Sequence, residues 1–414
     1  MSSTFHERHH FELQSTDLLR PLGAFEELFC LFDQHFPTNG AFAAQISGHT
    51  TVEQWRDALD AVQQRHPLLS VCIDTTFNRV PHFRRATGQS IPLRVVTSSF
   101  ARWQREVAEE VNEPFVPDQA PLFRAVLLHQ ETQCTFILSS HHAVCDGSSR
   151  IFLLRDILLS LSGYVLEALS LAPSREILCG ARQRTSTEPG MASYAADRPL
   201  LPHVEGLKIT PEQTTTLQRR AREEGVTLHA AISAALTIAG RAIDASWRNS
   251  PLRIMSPAEI RDIIGLKDEC MVSFAGGEIS IAPSSSMTFW DLARSAKDGL
   301  SAVKSTENIS RMIDLQSAAV SSNLTVEEAS QLKRNAFNAQ VMLTNLGRLP
   351  FDSTFGSLKL ESLWAPCALR GIEGEQTVGA VTVNDSLHLT HTSPWPIPGL
   401  LAGIKEELRE ACLI

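Results

Sequence analysis

A chain of 414 residues is long enough for two core-bearing domains, since single cores stop growing well below that length. Its 43% hydrophobic and 20% charged composition is that of an ordinary globular protein. With 46 acidic against 37 basic side chains and a net charge of −9, it lacks the basic footprint of a nucleic-acid binder and carries no polybasic membrane anchor.

The polar start, with His6, His9 and His10, reads as solvent-exposed and has no apolar core of a signal peptide. No run approaches ~18 consecutive apolar residues, so no membrane span is expected. The eight cysteines are scattered without a CxxC pair, which points to reduced, buried thiols and a cytoplasmic setting.

Helix and strand signals alternate along the chain. Thr51 and Gln54 form a capping box that opens a helix ending at Arg65-His66-Pro67. Strand runs follow at 69–74 and 93–96, with a helix over 101–111. The apolar runs 122–129 and 134–140, split by a polar turn, predict a hairpin whose second strand delivers His141. A helix over 149–161 comes next, with Ser148 and Ser149 as candidate N-caps. Periodicity is lost between 172 and 201, which marks a linker.

Beyond it, 207–210 reads as a strand, 211–224 as a helix and 228–243 as an alanine-rich buried helix. Strands are expected at 253–255, 271–281 and 340–344, and a helix at 290–304. Thr325 and Glu328 cap a further helix. Two late strands, at 378–383 and 387–392, precede a final helix after Pro398. The expectation is an α+β protein of two lobes, 1–180 and 206–414, joined by a linker at 181–205.

The chemistry concentrates in His141-His142-Ala143-Val144-Cys145-Asp146-Gly147, where a strand gives way to a helix. Side chains alternate faces along a strand, so the adjacent histidines point apart and one imidazole faces a given cavity. Asp146-Gly147 suits a tight turn that a carboxylate can brace. Three other readings compete. The histidine can be a satisfied member of a strand-end turn. A metal site is disfavoured, because neighbouring strand histidines diverge and no second ligand pair stands out. Cys145 as nucleophile is disfavoured by the adjacent Asp146.

HHAVCDG resembles the HHxxxDG motif of the thioester-dependent acyltransferase superfamily, which includes condensation domains, BAHD acyltransferases, alcohol O-acetyltransferases and diester-forming acyltransferases. Five further segments agree in order. They are Arg20-Pro21-Leu22-Gly23 with Glu26, Arg65-His66-Pro67-Leu68-Leu69, Pro121-Leu122-Phe123-Arg124, Ser256-Pro257-Ala258-Glu259-Ile260-Arg261, and Thr344-Asn345-Leu346-Gly347-Arg348. A BAHD-type DFGWG segment is missing, Phe355-Gly356 being too short a match. With no adenylation or carrier domain in the chain, the stand-alone alcohol- or diester-forming branch fits better.

The resemblance implies two chloramphenicol-acetyltransferase-like lobes, each a mixed sheet flanked by helices, with an interlobe channel. It implies acyl transfer from a thioester to a hydroxyl or amine, with His142 as general base. Near a reference pKa of ~6.5, histidine can take the acceptor proton and return it to the departing thiolate. It gives Asp146 a bracing role beside an arginine, with Arg261 the candidate and Arg348 and Arg124 its rivals, and has Gly147 keep the channel wall thin. His141, Asn345 and Arg261 are the candidate substrate contacts, although for His141 bracing of the loop by hydrogen bonding is the preferred reading. No bound cofactor or metal is implied. The co-substrate would be acyl-CoA or a phosphopantetheine thioester, with a small-molecule acceptor, an acyl carrier protein as a further candidate partner, and a monomeric state. The contrasting expectation is a non-catalytic condensation-like module that binds a partner.

Overall fold

Among the described residues, seven strands are built before the linker: β1 (Leu18–Pro21), β2 (Gly40–Ser47), β3 (Val71–Asp74), β4 (His82–Arg85), β5 (Leu93–Val96), β6 (Phe123–His129) and β7 (Gln133–Ser140). Eight follow it: β8 (His203–Ile209), β9 (Leu252–Glu259), β10 (Phe274–Ile281), β11 (Val341–Arg348), β12 (Thr354–Phe355), β13 (Leu358–Ala368), β14 (Gln376–Val383) and β15 (Ser386–Ser393). The computed structural model describes residues 17–77, 80–97, 102–182, 200–283, 287–322 and 324–413. His6, His9, His10 and the stretch 183–199 of the expected linker lie outside the described residues.

The strands form two six-stranded mixed sheets and one small sheet. The first sheet runs β12-β13-β2-β7-β6-β5, the second β10-β9-β11-β14-β15-β8, and the small one β1-β4-β3. The hairpin read from 122–140 is present: β6 and β7 pair antiparallel from Phe123↔Ser140 to His129↔Cys134. Every residue of β7 except Gln133 and Thr135 is buried, so both faces of its sheet are covered. The helices Val52–Arg65 and Gly147–Leu161 contribute to the core of the first lobe. The alanine-rich helix Leu228–Ile243 is packed with Phe289–Gly299 and Leu400–Ala411 in the core of the second.

Among the departures from the expected order, three bear on the site. Helix Ala24–Asp33 is buried at all ten positions, Glu26, Glu27 and Asp33 included, so its acidic side chains do not mark a solvent face. Strand β2 (GAFAAQIS) is rich in alanine and glycine, which have low strand propensity. Strand β13 lies inside the 206–414 stretch expected to build only the second lobe. Instead it pairs antiparallel with β2, from Lys359↔Ser47 to Ala368↔Gly40, so the late part of the chain completes the sheet of the early part. The helix expected to reach 304 ends at Gly299, and the strand expected from 271 begins at Phe274.

Candidate active site

Strand β7 ends at Ser140 and the helix Gly147–Leu161 begins seven residues later. The two histidines between them diverge. His141 is fully buried: its Nδ1 accepts the Ala143 amide at 3.0 Å, and its Nε2 lies 3.3 Å from the equally buried Asp33 carboxylate. Burial alone would raise the Asp33 carboxyl, but His141 and the Thr38 amide and hydroxyl outweigh it and hold it below the usual range. His141 therefore braces the loop, and its assignment as a substrate contact is corrected, because the ring has no exposed surface and faces Asp33.

His142 turns the other way. It is partly exposed, and it borders a chamber of about 120 Å³ lined by residues of both halves of the chain. Its ring stacks on Phe29, with centroids 4.2 Å apart and planes 4° from parallel, and Phe274 tilts against it at 5.7 Å. Its Nδ1 is buried without a hydrogen-bond partner. Burial pushes the imidazole down to about 3, with the Arg150 cation adding to the shift. The ring is thus neutral at physiological pH, carrying a free lone pair. It is a weaker base than the free side chain, because burial and the Arg150 cation outweigh the partial compensation that Asp146 gives an imidazolium here.

Asp146 caps the helix, correcting the expectation of Ser148 or Ser149: its Oδ1 accepts the Ser149 amide at 2.8 Å. Its Oδ2 accepts the Ser273 amide at 2.8 Å and hydroxyl at 3.0 Å. Arg261 Nη2 lies 3.5 Å from Oδ1 and donates to Ser149 Oγ at 2.5 Å. Burial opposes ionisation of Asp146, but Arg261 and these donors overcome it and keep the carboxyl below the usual range. Of the three candidate partners, Arg348 pairs with the exposed Asp385 and Arg124 with Glu110, which leaves Arg261. Arg261 is 3% exposed and does not border the chamber, so its expected role as a substrate contact is corrected to a positioning role. Asp146 itself, with Ser273 and Arg261, ties the motif of the first lobe to the second.

Gly147 has no left-handed backbone angle. A Cβ there would sit 2.9 Å from Leu346 Cδ2, the movable end of a β11 side chain, so the glycine gives close approach to β11 and is not demanded by the turn. Asn345 borders the chamber and accepts the Gly347 amide through Oδ1 at 2.8 Å. Its side-chain amide donates to no partner among the described residues. Cys145 is fully buried outside the chamber lining, with Sγ directed at the Asp146 carbonyl at 3.5 Å. Among the described residues, no group of three His, Cys, Asp or Glu side chains is arranged to hold a metal.

Two chamber residues escape a reading of the sequence alone. Arg150 is 3% exposed, donates to Ser140 Oγ at 3.0 Å and the Cys145 carbonyl at 3.4 Å, and has no carboxylate partner among the described residues. Its position four after the cap, on the Asp146 face, was the available signal. Room for it comes from Gly40, where a Cβ would meet Nη2 at 2.3 Å. Phe29 lies in the fully buried helix Ala24–Asp33, and nothing local separates it from core. Glu259 also borders the chamber. Burial and Asp146 push its carboxyl up, while Arg261, with Nε 3.1 Å away, holds it down in part.

Comparison with known proteins is consistent with this fold. Residues 31–162 match the condensation-domain model, and 198–380 match that of the phthiocerol/phthiodiolone dimycocerosyl transferase C-terminus. A linear gramicidin synthase chain of Brevibacillus parabrevis is 30% identical over 155 residues, which is 35% of this chain and only 2% of that relative. Polyketide synthase associated protein 5 from Mycobacterium tuberculosis has the same fold, with a TM-score of 0.69 at 16% identity, covering 97% of this chain and 99% of the other. So does the trichothecene 15-O-acetyltransferase of Fusarium sporotrichioides, with a TM-score of 0.67 at 11% identity, covering 96% and 95%.

Proposed function

Since the chain belongs to the condensation-domain and acyltransferase superfamily, we propose that it transfers an acyl group from a thioester to a hydroxyl or amine, with His142 as general base. The observation that carries this reading is the His142 ring itself: delivered by a strand end, held flat by Phe29, and bordering a chamber that both lobes line.

The acceptor O–H or N–H gives its proton to the free imidazole lone pair as its heteroatom attacks the thioester carbon. The carbonyl π electrons move onto oxygen, forming a tetrahedral oxyanion. That negative charge, in a low-dielectric chamber, compensates the imidazolium that burial otherwise disfavours. Collapse re-forms the carbonyl and breaks the C–S bond, and the imidazolium returns the proton to the thiolate. Two donors suit the oxyanion: the buried Arg150 cation, which has no carboxylate partner among the described residues, and the Asn345 side-chain amide. Asp146 and Arg261 hold the loop in place and take no part in proton transfer.

The donor is acyl-CoA or an acylated carrier protein, both of which present the same pantetheine thioester. No resident cofactor enters the scheme, and a protein working as a monomer in the cytoplasm meets its needs. The test is incubation of the purified chain with a panel of acyl-CoA thioesters and alcohol or amine acceptors, following free thiol and acylated product together. Stoichiometric appearance of both supports acyl transfer. Thiol release with only free acid means hydrolysis and contradicts transfer to an acceptor, whereas no release with any donor favours a module that binds a partner without catalysis.

A further inference from the structure

A second, larger cavity of about 520 Å³ lies beside the His142 chamber. The two abut at Met255, Phe274 and Phe337, which line both. Residues two apart on a strand share a face, so Phe274, Gly276 and Glu278 of β10 run in line along this cavity. They span roughly 13 Å at ~3.3 Å per residue. Phe274, at one end, packs against His142, and Glu278, at the other, is exposed.

The glycines bordering this cavity differ in what they accommodate. A Cβ on Gly277 would lie 2.1 Å from Val303 Cγ2, and one on Gly299 would lie 2.6 Å from Ile279 Cγ2, so packing accounts for both. A Cβ on Gly276 would meet nothing nearer than Met312 Cε at 3.9 Å. Glycine inside a strand weakens it and often marks a place where a ligand approaches the backbone. Here the open space belongs to a cavity walled mainly by apolar side chains.

We propose that this side cavity receives a linear alkyl chain borne by one of the two substrates, and that Gly276 sets the length of chain admitted. The assignment of the chain to a substrate rests on acyl transfer at His142; the binding of the chain does not. Each methylene buried there tightens binding by about fourfold, so a side chain that fills the space costs long chains and spares short ones.

The test has two arms, both on the full chain. In the first, lauric acid is titrated calorimetrically into wild type, Gly276→Ala, Gly276→Leu and Met312→Trp, the last filling the same space from the facing helix Thr306–Ser321. Wild type and Gly276→Ala bind, while both filling variants lose at least tenfold in affinity. If one filling variant fails to fold, the other still decides. Equal affinity in folded variants, or no saturable binding to wild type, overturns the proposal. In the second arm, transfer is compared for acetyl, octanoyl and palmitoyl thioesters, and for ethanol and hexadecanol as acceptors. Selective loss of long donors in Gly276→Leu places the chain on the acyl group, and selective loss of hexadecanol places it on the acceptor. Parallel loss across all lengths overturns the proposal. Absence of transfer by wild type, with lauric acid binding still dependent on residue 276, removes the acyl-transfer reading and leaves the cavity assignment standing.

Discussion

Asp146 is the residue on which the geometry of the site turns. It caps a helix of the first lobe, accepts two bonds from Ser273 and faces Arg261, and all of these groups are buried. Removing it leaves Arg261 with Glu259 as a carboxylate neighbour but strands the buried Ser149 and Ser273 donors, which together typically cost about 2–6 kcal/mol. Asp146→Ala is therefore expected to lower unfolding free energy by about that amount, read from urea denaturation, and to reduce transfer through misplacement of His142. A folded Asp146→Ala variant with wild-type stability would show that the tie between lobes is not made here. The brace made by Asp146 and the position of His142 at a chamber were legible because the seven-residue motif carries both spacing and chemistry. Those of Phe29 and Arg150 were not, since stacking and long-range burial leave no local pattern. His141 was half legible: the alternation of faces separated it from His142, but only the position of Asp33 shows where it points.

At the level of elements, local signals were faithful where the partner is near in sequence. The Thr51–Gln54 capping box is present in both directions, at 3.2 and 2.8 Å, and so is Thr325–Glu328, at 3.2 and 2.8 Å. The β6–β7 hairpin follows from two apolar runs and one polar turn. Strand β13 could not be placed this way, because its partner β2 lies more than three hundred residues earlier and its own sequence carries no sign of it. Its crossing also shapes the site, since Pro366 and Ala368 of β13 and the following Leu369 and Arg370 border the chamber. A fragment of residues 1–182 would lack β13 and expose the edge of β2, a template for unwanted pairing. It is expected to aggregate when expressed alone, and to become soluble and chromatographically monodisperse when co-expressed with residues 200–414. A fragment that is monomeric, with a cooperative thermal transition of its own, would contradict this account of the first sheet.

Across the whole molecule, several buried groups make stability depend on pH in one direction. Burial holds His142 at about 3 and His229, His388 and His391 at about 4, against ~6.5 in an unfolded chain. Between those limits the unfolded state binds more protons, so stability is complete above pH ~6.5 and falls as pH drops towards 4. The depressed carboxyls of Asp33, Asp146 and Asp156 extend the same trend to lower pH, whereas Glu375, pushed up by burial, opposes it. Calorimetric melting temperatures are expected to decline steadily from pH ~6.5 to 4; a flat or rising profile would mean that these rings are protonated in the folded state. Length points to two lobes, and the alternation of helix and strand signals points to α+β. The exchange of a strand and the chamber it closes are properties of the assembled chain.

The most direct test of the account is the ratio of kcat/KM for His142→Ala to that for wild type, with a thioester and acceptor that wild type uses. Loss of a positioned general base predicts a fall of roughly 100- to 10,000-fold, with the cooperative thermal transition retained. A folded His142→Ala protein that transfers the acyl group at the wild-type rate would contradict it.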